Sequence, residues 1–425
     1  MRMSMTVGGG LFCAAVFAVA ALAGDSPAAP VKVEPELVPD KELLAKIAAL
    51  PENGAMVLPP FKVTGETKWF TENYATHGPK IRDYCNKMVW APDRKRALYA
   101  GAGHNGPLSN DVWEYDLAAN TWVCLYAWDW AFADLPKDID KATEILRTRI
   151  KTRSTASSTV VTTLKGAPLR PAHTWWGLAY DAERRRMVFW DACRGLWTGS
   201  DTDKVTRVAR VLGSTPAALV AGGAHAFVFD PAARKWDAWK DAPNAYMSSQ
   251  LEYIPDRKAL WLKSGNTYLC ETGEAGNWKD LGAAGGPANG ALSAYDPESK
   301  TIVAVLSKNT YAYSFSNNQW KVIQDGKSPD AVVPESTFCY DSVAKRFVLY
   351  SGRATPHLWL FDLARNEWTA PDDKGVIQSA IAGSAAGYFD EARGVTVLYS
   401  VNAAGQDKFS MAVYRAPKAG GGERK

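Results

Sequence analysis

The 425-residue chain is 47% hydrophobic, 22% charged and 11% aromatic, an ordinary globular composition, with 49 Lys/Arg against 45 Asp/Glu and a net charge of +4. So close a balance offers no electrostatic footprint for nucleic acid, and no basic cluster adjoins a membrane-like stretch. The unusual feature is the 17 Trp and 17 Tyr, residue types that favour strands and supply large buried area.

Residues 1–23 read as a secretory signal peptide. Arg2 gives the positive start, Leu11 to Leu22 the apolar run, and Ala21-Leu22-Ala23 the small-x-small cleavage site, placing the mature start near Gly24. The run is short of the roughly 20 residues a spanning helix needs. Cleavage implies a periplasmic or secreted protein. Cys13 has no lipobox-like context, and no later segment is apolar enough to span a bilayer. The mature chain would keep Cys85, Cys124, Cys193, Cys270 and Cys339, an odd and widely spaced set without metal spacing, read as buried thiols. One bridge among them stays open. Residues 24–60 read as a Pro/Ala/Val-rich linker followed by a short helix over KELLAKIAAL, capped by Asp40 and ended by Pro51.

From 61 to 415 the chain repeats itself. Each unit opens with a strand ending in an aromatic, then Asp or Pro, a turn carrying Lys or Arg, and a second apolar strand. The instances are VWAPDRKRALYA at Val89, AYDAERRRMVFW at Ala179, EYIPDRKALWL at Glu252, AYDPESKTIVAV at Ala294, CYDSVAKRFVLY at Cys339 and YFDEARGVTVLY at Tyr388. Asp and Pro at these places are hairpin chemistry, because Asp accepts backbone N–H groups and Pro presets φ. A third strand, a polar turn and a Trp close five units, at Trp122, Trp236, Trp278, Trp320 and Trp368. The last three intervals are 42, 42 and 48 residues, the length of four short strands. The fold class is therefore all-β, a six-bladed β-propeller. The sixth unit lacks an outer strand, and Thr67-Lys68-Trp69 in FKVTGETKWF is expected to complete it. APKAGGGERK, 416–425, reads as a disordered tail.

At NDVWEYDLAANTW the resemblance becomes specific. Gly101-Ala102-Gly103 followed by Trp113, Tyr115, Asp116 and Trp122 is similar to the kelch family, and blade five repeats the pattern with Gly352, Trp359, Phe361, Asp362 and Trp368. Blades two to four lack the glycine pair, so the chain resembles a divergent member. The resemblance implies a galactose oxidase-type propeller architecture. That enzyme's copper chemistry uses an adjacent Tyr-His pair that does not occur here, and the five histidines, at 77, 104, 173, 225 and 357, have no paired spacing. No cofactor and no metal are expected.

Trp122 to Trp236 spans 114 residues but covers one blade. We read 123–170, with a polar helix in PKDIDKATEILRTRIKTR, and 192–223, Gly- and Ala-rich, as insertions. They follow the outer strand of blade one and the second strand of blade two, two loop types that leave a propeller on the same face. They should sit together as a partial lid.

Residues that break the repeat on that face are the candidate ligand-binding set. Arg82, His173, Trp175, Trp176, Gln250 and Glu335 precede inner strands, while His104, Asn105, Asp191, Arg194, Lys263 and Arg353 follow second strands. Around one channel mouth they would form a polar ring with aromatic walls, suited to a sugar or a carboxylate. Two functions follow. The first is a non-catalytic binding module, monomeric, for a glycan or an extracellular protein. The second is a sugar-active enzyme, an epimerase, mutarotase or lyase on an acidic sugar. It is suggested by similarity to exported six-bladed sialic acid mutarotases, and would need an acid/base pair and an Arg anchor. Binding is favoured, since no catalytic motif is visible.

Overall fold

The computed structural model describes residues 37–419 except 67–77, 80–81, 83, 102–109, 130, 133, 155–158, 170–174, 192–201, 218–224, 239–242, 244–248, 272–276, 283–284, 334, 382 and 403–408. The expected signal peptide lies outside these residues, as do Trp69, Cys193 and the last six residues of the expected tail.

Six antiparallel sheets follow one another along the chain, each built from consecutive strands. Blade one uses 89–91, 96–100, 112–116 and 121–126; blade two 178–181, 186–191, 225–230 and 235–238; blade three 250–254, 259–264, 266–271 and 278–282. Blade four uses 292–296, 301–306, 309–314 and 319–324; blade five 336–341, 346–351, 358–362 and 367–369; blade six 384–390, 395–402 and 411–414. The protein is a six-bladed β-propeller.

Strand register explains the tryptophan repeat. Trp122 pairs with Tyr115, Trp236 with Phe229, Trp278 with Cys270, Trp320 with Tyr313 and Trp368 with Phe361, the same place in five blades. Trp122 and Trp236 are buried and the other three half-buried. The Lys/Arg of the first turn also has a reason. Lys95, Arg185, Lys258, Lys300 and Lys345 all have φ between 49° and 55°, and Gly394 completes the set at 62°. Each ends its hairpin turn in the left-handed region, the usual exit from a type I turn into the returning strand. Where Asp precedes the turn it caps it: Asp341 Oδ1 accepts from Val343 N and Ala344 N at 2.9 and 2.8 Å, and Asp390 Oδ1 from Arg393 N at 3.0 Å.

Ring closure differs from the expectation in its strand. The N-terminal region does complete blade six, but with Ala55–Val57, inside the segment read as linker: Met56 pairs with Val413. Ala55, opposite Tyr414, thus stands where the other blades carry Trp, so the sequence pattern had nothing to mark it. Thr67-Lys68-Trp69, expected there, lies outside the described residues, and just before it Lys62–Gly65 runs parallel to the outer strand of blade one and makes that sheet five-stranded. Gly65 has φ 96°, and a Cβ on it would meet Cys124 O at 2.4 Å. The expected helix, α1 (Lys41–Ala48), is present, with Asp40 accepting from Leu43 N at 3.0 Å. Its buried Leu43 and Ile47 join one hydrophobic cluster with Tyr99 and Trp122 of blade one and Tyr399 and Val413 of blade six. The seam between the first and last blades is therefore the place where the N-terminal segment binds. Residues 416–419 of the expected tail also pack: Ala416 is buried and Ala419 N donates to Ala344 O at 2.9 Å.

Candidate functional site

The two insertions do come together. The first supplies α2 (Ile139–Arg147), capped by Asp138, and a hairpin of 150–154 with 159–163, so IKTR forms a strand rather than prolonging the helix. The second supplies α3 (Thr202–Val211), a helix not anticipated in a stretch read as Gly- and Ala-rich. Leu146, Ile150 and Val161 from the first insertion share a buried cluster with Val205 and Val208 from the second. Arg210 also pairs with Asp140 at 2.9 Å. The result is a small platform with its own core on one face of the ring.

The candidate ring residues are less united. Arg82 is buried inside blade one, donating to Gly101 O and to Asp111 Oδ2, with its guanidinium 5.6 Å from the Tyr99 ring centre. Burial opposes its charge, but Asp111 outweighs it and holds the pKa above the ordinary arginine value. Trp176 is fully buried. Trp175, half-buried at φ 50°, packs on Tyr84 with ring centres 4.7 Å apart. Gln250 is buried beside Trp176 and opposite Lys263, whose ammonium turns back to Gly265 O and whose pKa burial lowers. Arg353 and Glu335 grip each other in a two-bonded pair, which raises the arginine pKa. Asp191 ends the second strand of blade two, in register with His225. His104, Asn105, His173 and Arg194 lie outside the described residues.

The sequence reading missed the other end of the channel. A cavity of about 460 Å³ is lined by the six inner strands and by residues just after them, including Pro92, Ala182, Pro255, Pro297 and Ser342. Those are first-turn residues, so the cavity opens on the face opposite the insertions. Its wall is a ring of one aromatic per blade: Trp90, Tyr180, Tyr253, Tyr295, Tyr340 and Phe389. Most of these reach an acid of the preceding blade. Tyr180 donates to Asp93 at 2.6 Å, Tyr295 to Asp256, and Trp90 Nε1 to Glu391 at 3.2 Å. Burial and Asp296 together raise the Tyr340 phenol. The strand-ending aromatic and the turn acid, read separately as repeat markers, form one belt in space.

The cavity floor is a buried ion pair. Lys87 of blade one reaches across the channel to Leu251 O at 2.6 Å and Glu252 Oε1 at 2.8 Å, with its ammonium 5.4 Å from the centre of the Trp176 ring. The same Oε1 accepts from Ser293 Oγ at 2.6 Å and Trp176 Nε1 at 3.1 Å. One carboxylate oxygen thus ties blades one, two, three and four, and stoppers the channel. Burial lowers the Lys87 pKa and raises that of Glu252, each opposed by its partner's charge. Among the described residues no group of three His, Cys, Asp or Glu is disposed to hold a metal, and no helix is long and apolar enough to cross a membrane. Cys85, Cys124, Cys270 and Cys339 are all unbridged.

No family model matches the chain, and no curated protein matches it. Among solved structures it is similar to a chain in the crystal structure of a nidogen/laminin complex, over 68% of this chain and 79% of that one. The identity is 9% and the TM-score 0.38.

Proposed function

We propose that the protein is an exported, divergent kelch-type propeller that acts as a non-catalytic binding module, with the inserted face as its docking platform for a partner protein. The observation that carries this is the platform itself: two insertions separated in the chain by the first two strands of blade two fold against each other into one cohesive unit. Loops on a rigid scaffold are where binding usually resides. A protein suits the surface better than a glycan does. α2 presents the exposed, mixed charges Asp140, Lys141, Glu144 and Arg147, while of the two tryptophans of the expected aromatic wall Trp176 is withdrawn into the core and Trp175 is half-buried against Tyr84. The kelch assignment is supported by the tryptophan register and by Gly101 ending the second strand of blade one at φ 116°. An acidic-sugar enzyme would want a free arginine, and Arg82 and Arg353 are each committed to a carboxylate.

The test is comparative capture from the extracytoplasmic fraction, with wild type against Lys141→Glu/Arg147→Glu and against Lys300→Glu on the opposite face. One partner protein should be lost with the double reversal and kept with Lys300→Glu. Equal recovery on all three baits would refute the platform. Export is checked by sequencing the mature N-terminus, expected near Gly24. An intact residue 1 in the mature protein would contradict it.

A further inference from the structure

From the opposite face we infer a second, independent site: the aromatic channel cavity binds a small organic ammonium ion. Apart from the phenols of Tyr253 and Tyr388, the donors around the cavity are already spent on protein acceptors. Tyr180 and Tyr295 give their hydroxyl protons to Asp93 and Asp256, Trp90 gives its indole proton to Glu391, and Ser293 gives its own to Glu252. Lys87 has its three directions filled by a carbonyl, a carboxylate and the face of Trp176. An anion or a carbonyl ligand would find few hydrogens to accept, those of the Tyr253 and Tyr388 phenols.

Acceptors are what remain. All three bonds to Glu252 converge on Oε1, and among the described residues none donates to Oε2, although Glu252 lines the cavity. Glu391 stands exposed at the rim, with Trp90 on one oxygen only. Lys87 and Glu252 cancel, so Glu391 leaves the lining with one net negative charge. The walls supply π faces, and a phenol that donates to a carboxylate is enriched in electron density. Aromatic faces within about 6 Å attract a cation, more strongly when water is excluded. A volume of about 460 Å³ lies in the range of small-molecule sites. Acceptors at floor and rim, π faces between them and an unbalanced negative charge all select the same ligand: a compact cation that brings its own N–H donors.

Three probes of one shape test this by calorimetry and thermal shift at neutral pH: tryptamine as its ammonium ion, the neutral alcohol tryptophol, and the anion indole-3-propionate. Tryptamine should bind saturably and raise the melting temperature, tryptophol should be weaker by about tenfold or more, and the anion should not bind. Glu391→Gln, an exposed substitution that leaves the core untouched, should weaken tryptamine by about tenfold, while Lys141→Glu on the inserted face should not change it. Tryptophol binding as tightly as tryptamine, no saturable binding of tryptamine, or an affinity indifferent to Glu391→Gln would each overturn the assignment. None of these outcomes bears on the partner platform, which lies on the other face.

Discussion

Replacing Glu252 by Gln is the most discriminating perturbation of the channel knot. The side chain keeps its volume and one acceptor oxygen, so the bonds from Ser293 and Trp176 survive and only the charge is removed. Lys87, about one-tenth exposed, is then a buried ammonium without a counter-ion. Breaking a buried pair from one side costs about 3–5 kcal/mol, because the remaining charge is uncompensated. Lys87→Met strands the carboxylate instead, though Ser293 and Trp176 still solvate it, and should fall at the lower end of that range. The double variant Lys87→Met/Glu252→Gln strands neither charge. Its loss should be smaller than the sum of the singles by more than about 1.5 kcal/mol, within the coupling seen for contacting groups. The sign of the pH effect is fixed as well. Burial already lowers the Lys87 pKa, so in Glu252→Gln raising the pH neutralises the amine and should recover part of the lost stability. Urea denaturation of the four proteins at two pH values measures all of this. Additive single losses, with coupling below about 0.5 kcal/mol, would mean that the two groups do not hold each other and that the knot is not one unit.

Two further outcomes follow from closure and from the turn carboxylates. Ile47→Ala should cost about 2–5 kcal/mol, and removing residues 37–57 should lower the melting temperature far more than replacing Lys62–Gly65 with Gly and Ser; a truncated protein that melts like the full chain would disprove the seam. Burial raises Asp341 and Asp390 from 3.8 to about 6, so their neutral forms favour the fold: the contribution is complete below 3.8 and is lost as pH rises through about 6. Asp341→Asn/Asp390→Asn should therefore flatten the melting temperature between pH 4 and 7, and an unchanged slope would show that the carboxyls titrate normally.

What the sequence revealed was what it repeated. Closing tryptophans, turn acids and basic turn residues recur blade after blade, and each recurrence marks one backbone position, so architecture and blade order could be read directly. Closure could not, because Ala55 stands at the closing position without a tryptophan and Thr67-Lys68-Trp69 offers one. α3 is hard to read from sequence because DKVTRVARV offers a short apolar face, with Val205 and Val208 one turn apart, and its partners come from the other insertion. The candidate ring was harder still. Arg82 finds Asp111, and Lys87 finds Glu252 some 165 residues along the chain, and no local pattern announces either partner. The cavity escaped notice for the opposite reason. Its walls are the repeat markers themselves, and a residue already explained as a turn former attracts no second reading.

The pairing of Ala55 with Tyr414 has a consequence in time as well as in space. A ribosome delivers the first partner some 360 residues before the second, so no ring can close until Tyr414 has been made. Blades made early must wait as separate sheets with an unsealed flank, and contacts of this sequence separation form slowly. A chain that passes through a membrane before folding would gain from that delay, since its last strand is the latch and the latch arrives last.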